Sequence, residues 1–319
     1  MSVNPARLGS YALALATLYA VPLVVGFDGS LINVAVVIVI NSILAMSLGL
    51  LYGYAGQLSI ATAAFYGIGA YVAANLALKL GVSFWWSLPL APLVVMAIAA
   101  LLTLVLSRMN HIVFALGTYA VAEMIRLILV NWWQVTGGPQ GISFPRNPEP
   151  AFGFEFATRG AFYYIAASLL VLVYVGIALL MKSRLGWWFL SIRENPTLAQ
   201  SLGINVRFAK SLVFVIAAGI AGMTGVLYIY YFRHITPDVF TNWESILLLM
   251  IIMIGGLGTM AGPIVGAVVF LALPEVLRLP PTVQPVLVGM VLILVVVLLP
   301  RGIVGTLEDW WRKRCLAER

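Results

Sequence analysis

The sequence is poor in charge and in chemically reactive side chains. Only 9% of its 319 residues are charged, and it holds a single cysteine and two histidines. A soluble domain carries about 25% charged residues, so an ordinary soluble protein is excluded. The lone Cys315 cannot form an internal disulfide. His111 and His234 lie far apart in the sequence, and no metal-ligand spacing is present, so neither a catalytic set nor a metal site is indicated.

Long apolar runs are what the sequence has instead. It is 62% hydrophobic with a mean hydropathy of +1.05. Roughly ten runs approach the ~20 residues that a membrane-crossing helix needs. These runs are 8–26, 31–50, 58–80, 86–107, 111–133, 161–181, 211–232, 244–254, 263–277 and 285–299. We therefore predict an all-α polytopic membrane protein with one transmembrane domain, residues 1–319, in which the short runs 244–254 and 263–277 are broken or re-entrant helices.

The basic residues indicate how the chain is oriented. The net charge is +7, but lysine and arginine mostly border the apolar runs, which argues against a nucleic-acid partner. With ten spans and both termini in the cytoplasm, inner segments hold about twelve of the 18 basic residues and outer segments about five. This orientation predicts a main exterior loop at 134–160, a cytoplasmic loop at 182–210 and a basic cytoplasmic tail at 300–319.

The 182–210 loop carries the strongest charge bias and its own helix signals. It contains five basic residues and one acid, Glu194. Asn195 is a good N-cap, Pro196 suits the first helical position, and Gly203 can end the helix in a left-handed conformation. These signals predict a short helix over 197–202. Such a helix either docks in a groove of another protein or lies on lipid headgroups.

Two glycine-rich breaks, at 53–57 and 255–259, interrupt the apolar runs. Discontinuous helices at corresponding places in two halves point to a transport pathway. The alternative is close helix packing through small residues, since Gly262 and Gly266 have GxxxG spacing. Polar residues near the first break have the same two interpretations. The candidate pathway residues are Gly53, Gly56, Gln57, Asn75, Glu123, Arg126, Gly255, Gly256 and Gly258.

Glu123 and Arg126 form the sharpest pair within a span. They are three residues apart, so they are neighbours on one helical face and can neutralise each other. A charge at bilayer depth costs about 2.5–3.5 kcal/mol on insertion scales. The pair therefore either borders the route of a zwitterionic solute or is a buried structural pair; alternatively, Arg126 reaches the outer interface.

Three stretches resemble one known family. They are RLGWWFLSIRENPTLAQSLGINVRFAK (184–210), GYAGQLSIATAAFYGIGAY (53–71) and TGGPQGI (136–142). With 245–275 they resemble the LivM type of branched-chain amino-acid permease in ABC importers, over roughly residues 31–305. The resemblance implies that the 182–210 loop seats on a separate ATPase subunit. The implied coupling residues are Arg184, Gly186, Arg193, Glu194, Asn195, Pro196, Leu202 and Gly203. Candidate contacts to a binding protein are Thr136, Gly137, Gly138 and Gly141, which otherwise form only a turn.

The resemblance also implies partners. A Walker A motif, which binds the phosphates of ATP, requires a lysine directly after a glycine, and none of the four lysines has one before it. We therefore expect a transport subunit rather than an enzyme, with ATP hydrolysis on other subunits. ATP and Mg²⁺ would bind two separate ATPase subunits, and this chain would bind no cofactor. A second, LivH-like permease, a periplasmic binding protein and the lipid bilayer of a bacterial inner membrane complete the expectation. The alternatives are an ABC permease for urea or short amides and, less favoured, an ion-coupled secondary transporter or a membrane-embedded enzyme or scaffold.

Overall fold

The computed structural model describes residues 16–23, 29–144, 146–150, 158–276, 289–290, 298–299, 301–307 and 310. Its helices are α1 (Ser30–Leu48), α2 (Thr62–Leu80), α3 (Phe84–Leu106), α4 (His111–Asn131), α5 (Arg159–Lys182), α6 (Arg184–Glu194), α7 (Pro196–Ser201), α8 (Val206–Phe232), α9 (Asn242–Gly255) and α10 (Gly262–Val276). Residues 16–23 and 302–307 are also helical. Shorter elements are a helical turn (Trp133–Thr136), 3₁₀ turns (Gly138–Gln140 and Pro237–Phe240) and strands β1 (Ile142–Ser143) and β2 (His234–Ile235).

Six of these helices are long and apolar enough to cross a bilayer: α1 with its extension, α2, α3, α4, α5 and α8. Helices α9 and α10 are apolar but shorter, as the sequence predicts for the runs 244–254 and 263–277. Most of the predicted runs 8–26 and 285–299 and most of the 300–319 tail lie outside the described residues. A polytopic helical membrane protein is therefore confirmed, while the count of ten spans and the placement of the termini stay predictions.

Helix α8 lies at the centre of the bundle because small residues let its neighbours come close. A Cβ placed on Gly69 of α2 would lie 2.2 Å from the carbonyl oxygen of Gly222 in α8. A Cβ on Gly225 would likewise lie 2.2 Å from the carbonyl oxygen of Tyr66. Only glycine permits backbones to approach this closely, which is how apolar helices associate without a hydrophobic driving force.

The second close contact joins α9 and α10. A Cβ on Gly266 would lie 2.0 Å from the carbonyl oxygen of Ile251, and one on Gly255 would lie 1.8 Å from that of Gly262. The GxxxG spacing of Gly262 and Gly266 is therefore a packing feature, as one of the two sequence interpretations has it.

The described bundle has two distinguishable ends. At one, called here the α6 end, lie α6, α7, the end of α1 and the turn between α9 and α10. At the other, called here the hairpin end, β1 pairs with β2 in antiparallel register, with Ile142 opposite Ile235. The backbone N–H of Phe144 donates to the carbonyl of Arg233 at 2.7 Å and extends this pairing. The predicted exterior loop is thereby tied to the turn that follows α8.

The first glycine-rich break differs from the sequence prediction in its position. Helix α1 does not stop before Gly53 but continues as a π-helix, Gly49–Tyr54, so the non-helical segment is 55–61. That segment runs into the bundle, where the N–H of Ile60 donates to Thr118 Oγ1 at 3.1 Å. Helix α2 therefore begins inside the bundle, not at its end.

A second irregular segment, 236–241, enters the bundle from the hairpin end. The sequence predicts an exterior turn here, but Phe240 is only 2% exposed, and a Cβ on Gly67 would lie 2.6 Å from its ring. One turn later, Ser245 Oγ accepts the N–H of Ala63 at 3.1 Å. The starts of α2 and α9 thus meet within the bundle.

Candidate functional site

Helix α6 folds back against the end of α5. Ser183 lies between them: its hydroxyl donates to the carbonyl of Leu180 at 2.6 Å and accepts the N–H of Leu185 at 3.2 Å. A Cβ on Gly186 would lie 2.3 Å from the carbonyl oxygen of Met181, so the sharp reversal requires a glycine there. The close contact accounts for Gly186 in the Arg184-x-Gly186 pair. Arg184 itself is exposed at the first position of α6.

Helix α7 is capped at both ends as the sequence predicts. Asn195 Oδ1 accepts the N–H groups of Thr197 and Leu198, both at 3.0 Å, and Pro196 occupies the first helical position. Gly203 has φ +84°, and its N–H donates to the carbonyl of Gln200 at 3.0 Å. The N–H of the next residue, Ile204, donates to Ala199 at 3.1 Å, which completes a glycine-terminated helix end.

The surface of α7 is apolar where it leaves the bundle. Leu198 is 58% exposed and Leu202 is 73% exposed, whereas Ala199 is buried beneath them. Glu194, at the end of α6, is also exposed. Two exposed leucines four residues apart provide the anchors that a helix uses in a partner's groove or on a lipid surface.

Arg193 is exposed as well, but its guanidinium reaches back to the bundle. Its Nη1 donates to the carbonyl oxygen of Gly53 at 2.5 Å. A Cβ on Gly56 would lie 3.2 Å from Arg193 Cγ, and a Cβ on Gly258 would lie 2.8 Å from Arg193 Nη1. The arginine therefore lies between the two glycine breaks that the sequence analysis singles out.

The breaks also contact each other directly. A Cβ on Gly53 would lie 2.8 Å from the backbone nitrogen of Gly258. The φ angles are positive at Gly56, Gly256 and Gly258, so glycine is favoured there by the backbone conformation as well as by the close contact. Gln57, next to the first break, is 2% exposed, and both polar atoms of its side chain lack a hydrogen-bond partner among the described residues.

Glu123 and Arg126 are joined on α4, with Arg126 Nη2 2.6 Å from Glu123 Oε1. Two groups from the irregular segment and from α9 join them. Arg126 Nη1 lies 3.8 Å from Asp238 Oδ1, and Asn242 Nδ2 donates weakly to Glu123 Oε2 at 3.5 Å. The resulting α4 polar patch (Glu123, Arg126, Asp238 and Asn242) contains two carboxylates and one guanidinium.

This patch lies on the flank of the described bundle, not in its core. The side chains of Glu123 and Arg126 are 37% and 26% exposed. Glu123 is twelve residues into the 21-residue α4, which places it about 18 Å along the helix at 1.5 Å per residue. Charged groups exposed at that depth cannot face hydrocarbon at low cost, so the patch must face water or protein. The pair is therefore only partly buried in the described chain, and its role as a structural pair or as part of a solute route stays a prediction.

The remaining predicted residues support the hairpin end. Asn75 Nδ2 donates to the carbonyl oxygen of Val135 at 2.9 Å and so ties α2 to the Trp133–Thr136 turn. Thr136 is 1% exposed, and its hydroxyl donates to the carbonyl of Leu129 at 2.6 Å. Gly137 and Gly138 take positive φ in the turn that follows. A Cβ on Gly141 would lie 1.9 Å from the carbonyl oxygen of Ile235, so this residue permits the β1–β2 pairing.

Two members of these sites escaped sequence reasoning. Asp238 and Asn242 lie in a stretch predicted to be an exterior turn, more than 100 residues from Glu123. The Pro237–Asp238 pair is a turn signal, but nothing local shows that the turn enters the bundle. Arg193 was predicted to contact a partner, and only the fold shows its side chain reaching Gly53.

Six helices of membrane-spanning length and broken helices that meet inside the bundle define a polytopic membrane protein. The chain belongs to the family of branched-chain amino acid transport system permease components, whose model matches residues 30–296.

Individual relatives agree with this membership. The chain is 30% identical over 296 residues to the high-affinity branched-chain amino acid transport system permease protein LivM of Escherichia coli K12, covering 85% of this chain and 69% of that protein. It is 24% identical to the LivH permease protein of the same organism, covering 84% and 92%. A probable LivH of Methanocaldococcus jannaschii is 25% identical, covering 70% and 72%. No solved structure matches.

Proposed function

We propose that this chain is the LivM-type permease subunit of an ABC importer for branched-chain amino acids in a bacterial inner membrane. It would work with a second, LivH-like permease, two ATPase subunits that bind ATP and Mg²⁺, and a periplasmic binding protein. Family membership and the names of the relatives support the class of transporter. The partners and the solute are the parts that need testing.

The observation that carries the proposal is the exposed apolar face of α7. A six-residue helix with a cap at each end projects Leu198 and Leu202 away from the bundle. Short isolated helices are marginal in water, so the double capping indicates that the helical shape itself is used. We assign this face to a groove on an ATPase subunit, which makes the α6 end cytoplasmic.

The α4 polar patch supports the choice of solute class. Its two carboxylates and one guanidinium can pair with both ends of a zwitterion, the ammonium with Glu123 or Asp238 and the carboxylate with Arg126. Urea and short amides are neutral and would gain little from such charges. Because the patch is exposed on the flank of the chain, the pathway would form between this subunit and the second permease.

The experiment is reconstitution of all five components with a double variant, Leu198→Glu plus Leu202→Glu. We expect the ATPase subunits to be lost during purification and uptake of leucine, isoleucine and valine to cease, because two charges replace the apolar anchors. The control is Gln200→Glu, which adds a charge to another exposed position of α7 without removing an anchor.

Two results would contradict the proposal. An intact complex with normal ATP hydrolysis in the double variant would show that α7 merely lies on lipid. Uptake of urea but not of branched-chain amino acids by the unmodified assembly would show that the solute assignment is wrong.

A further inference from the structure

We propose that Arg193 is the residue that links the 182–210 loop to both glycine breaks, acting inside this chain and not as a contact to the ATPase. This inference rests on the proposed function for its meaning in transport, but its geometry stands on the contacts of the described residues. The contacts of its guanidinium with Gly53 and Gly258, called here the Arg193 bridge, are the basis of the argument.

The first argument is electrostatic. The π-helical extension of α1 ends at Tyr54, and α9 ends at Gly255, so two helix C-termini converge beside Arg193. A helix C-terminus leaves carbonyl groups unpaired and carries a partial negative charge. A guanidinium is always charged and presents several donors in one plane. An arginine at this position therefore hydrogen-bonds the end of the α1 extension and places a positive charge beside Gly258, three residues after α9 ends.

The second argument is steric. Three glycines lie against Arg193: Gly53 and Gly258 beside its guanidinium, and Gly56 beside its Cγ. A Cβ on any of them would stand within 3.2 Å of Arg193 or of the facing break. Small residues thus leave a slot that the arginine side chain fills. Arg193 is an exposed residue, yet its guanidinium is held beside these glycines by the hydrogen bond to the Gly53 carbonyl.

The third argument is the position of Arg193 in the chain. Two residues separate it from Pro196, the first residue of α7, and Asn195 between them caps that helix. The first break, in turn, contacts α4, because Gly56 O lies 2.9 Å from His111 Nδ1. A displacement of α7 by an ATPase subunit would therefore pull Arg193 relative to the two helix ends, and the first break would pass that displacement to α4.

The bridge has a specific consequence for coupling. With the guanidinium in place, α1 and α9 move as one body at the α6 end. Without it, α7 can still seat on its partner, but the movement no longer reaches the breaks. Arg193 is accordingly a positioning residue for transport, and its loss should separate ATPase binding from solute movement.

The test uses the reconstituted assembly with Arg193→Ala, Arg193→Lys and the control Arg207→Ala. Arg207 is an exposed basic residue in the first turn of α8, so its removal changes the charge of the loop equally. We expect Arg193→Ala to keep its ATPase subunits, while the maximal rate of solute-stimulated ATP hydrolysis falls about tenfold, within the usual range of coupling energies. The concentration of loaded binding protein for half-stimulation should not change. Arg193→Lys should recover part of the rate because it keeps the charge.

A second measurement, hydrogen exchange of the purified assembly, detects the bridge independently of transport. Arg193→Ala should accelerate amide exchange in both 53–59 and 255–262, and Arg207→Ala should accelerate neither. Loss of ATPase subunits from Arg193→Ala, normal stimulated hydrolysis, or unchanged exchange in the breaks would each overturn the inference. If the unmodified assembly fails to couple hydrolysis to uptake, the proposed function is wrong, and the exchange result still decides whether the bridge exists.

Discussion

Removing the N-cap of α7 should loosen that helix alone. Asn195 Oδ1 accepts two backbone N–H groups, from Thr197 and Leu198, each at 3.0 Å. Replacing an N-cap asparagine by alanine costs about 1 kcal/mol, within a range of about 0.5–2. Since a factor of ten corresponds to about 1.4 kcal/mol, Asn195→Ala should lower the folded-to-unfolded ratio of α7 about fivefold.

The effect on partner binding follows from the population of the helix. A ligand that needs α7 folded binds with an apparent affinity reduced by the folded fraction. If α7 is about 80% folded in the unmodified chain, a fivefold drop in its ratio leaves about 45% folded and weakens ATPase binding about twofold. If α7 is marginal to begin with, the loss approaches fivefold.

The assay is hydrogen exchange of residues 197–201 together with titration of the ATPase subunit. Asn195→Asp keeps the acceptor and should be close to the unmodified chain. Asn205→Ala is the matched control: Asn205 caps α8 by accepting the N–H of Phe208 at 3.1 Å, but α8 has 27 residues and packs at the centre of the bundle. Exchange in α7 that does not respond to Asn195→Ala would refute the reasoning. Weakened ATPase binding with unchanged exchange would show instead that Asn195 touches the ATPase directly.

Two further predictions concern packing and the pathway. Gly69→Ala should lower the thermal unfolding midpoint of the purified protein, with a cost of about 1–3 kcal/mol, because the added Cβ would lie 2.2 Å from the Gly222 carbonyl oxygen. Gly176→Ala is the control, since a Cβ there meets nothing within 4 Å. Equal midpoints for the two variants would contradict the close contact of α2 and α8. Glu123→Gln should reduce amino-acid uptake about tenfold with the complex intact, because Asp238, at 3.8 Å, is then the one carboxylate of the α4 polar patch left to pair with Arg126. The control, Asn131→Ala on the same helix, should leave uptake unchanged. Normal uptake by Glu123→Gln would show that the α4 polar patch is not part of the pathway.

The sequence predicted best those features that depend on neighbours in the chain. The α7 helix was expected over 197–202 from the Asn195, Pro196 and Gly203 signals; both capping residues are confirmed, and the helix itself runs one residue earlier, over Pro196–Ser201. The predicted run 111–133 corresponds to α4, which ends two residues earlier, and 211–232 ends with α8. Helix caps and the length of an apolar run depend on residues close together in the sequence, so they can be predicted without knowledge of the tertiary fold.

The features that sequence reasoning missed depend on contacts across the fold. Helix α1 was expected to stop before Gly53, but burial among neighbouring helices keeps it helical to Tyr54. The segment 236–241 was predicted to lie in an exterior turn from the order of the apolar runs, yet Phe240 packs against Gly67, about 170 residues earlier. A small residue on one helix and a large one on a distant segment show no local pattern that would pair them.

The glycines of the two breaks have two sequence interpretations, irregular backbone of a transport pathway and close helix packing, and the structure combines them. Gly53 and Gly258 are packing residues, since their backbones touch, and that contact is also what brings the two irregular segments together beside Arg193. Tight packing at the α6 end and irregular backbone inside the bundle are therefore parts of one arrangement. The backbone N–H of Ile60, in the first irregular segment, is hydrogen-bonded to Thr118 on α4. Thr118 lies about 8 Å along that helix from Glu123, at 1.5 Å per residue. A shift of the breaks would therefore reach the α4 polar patch through a single helix.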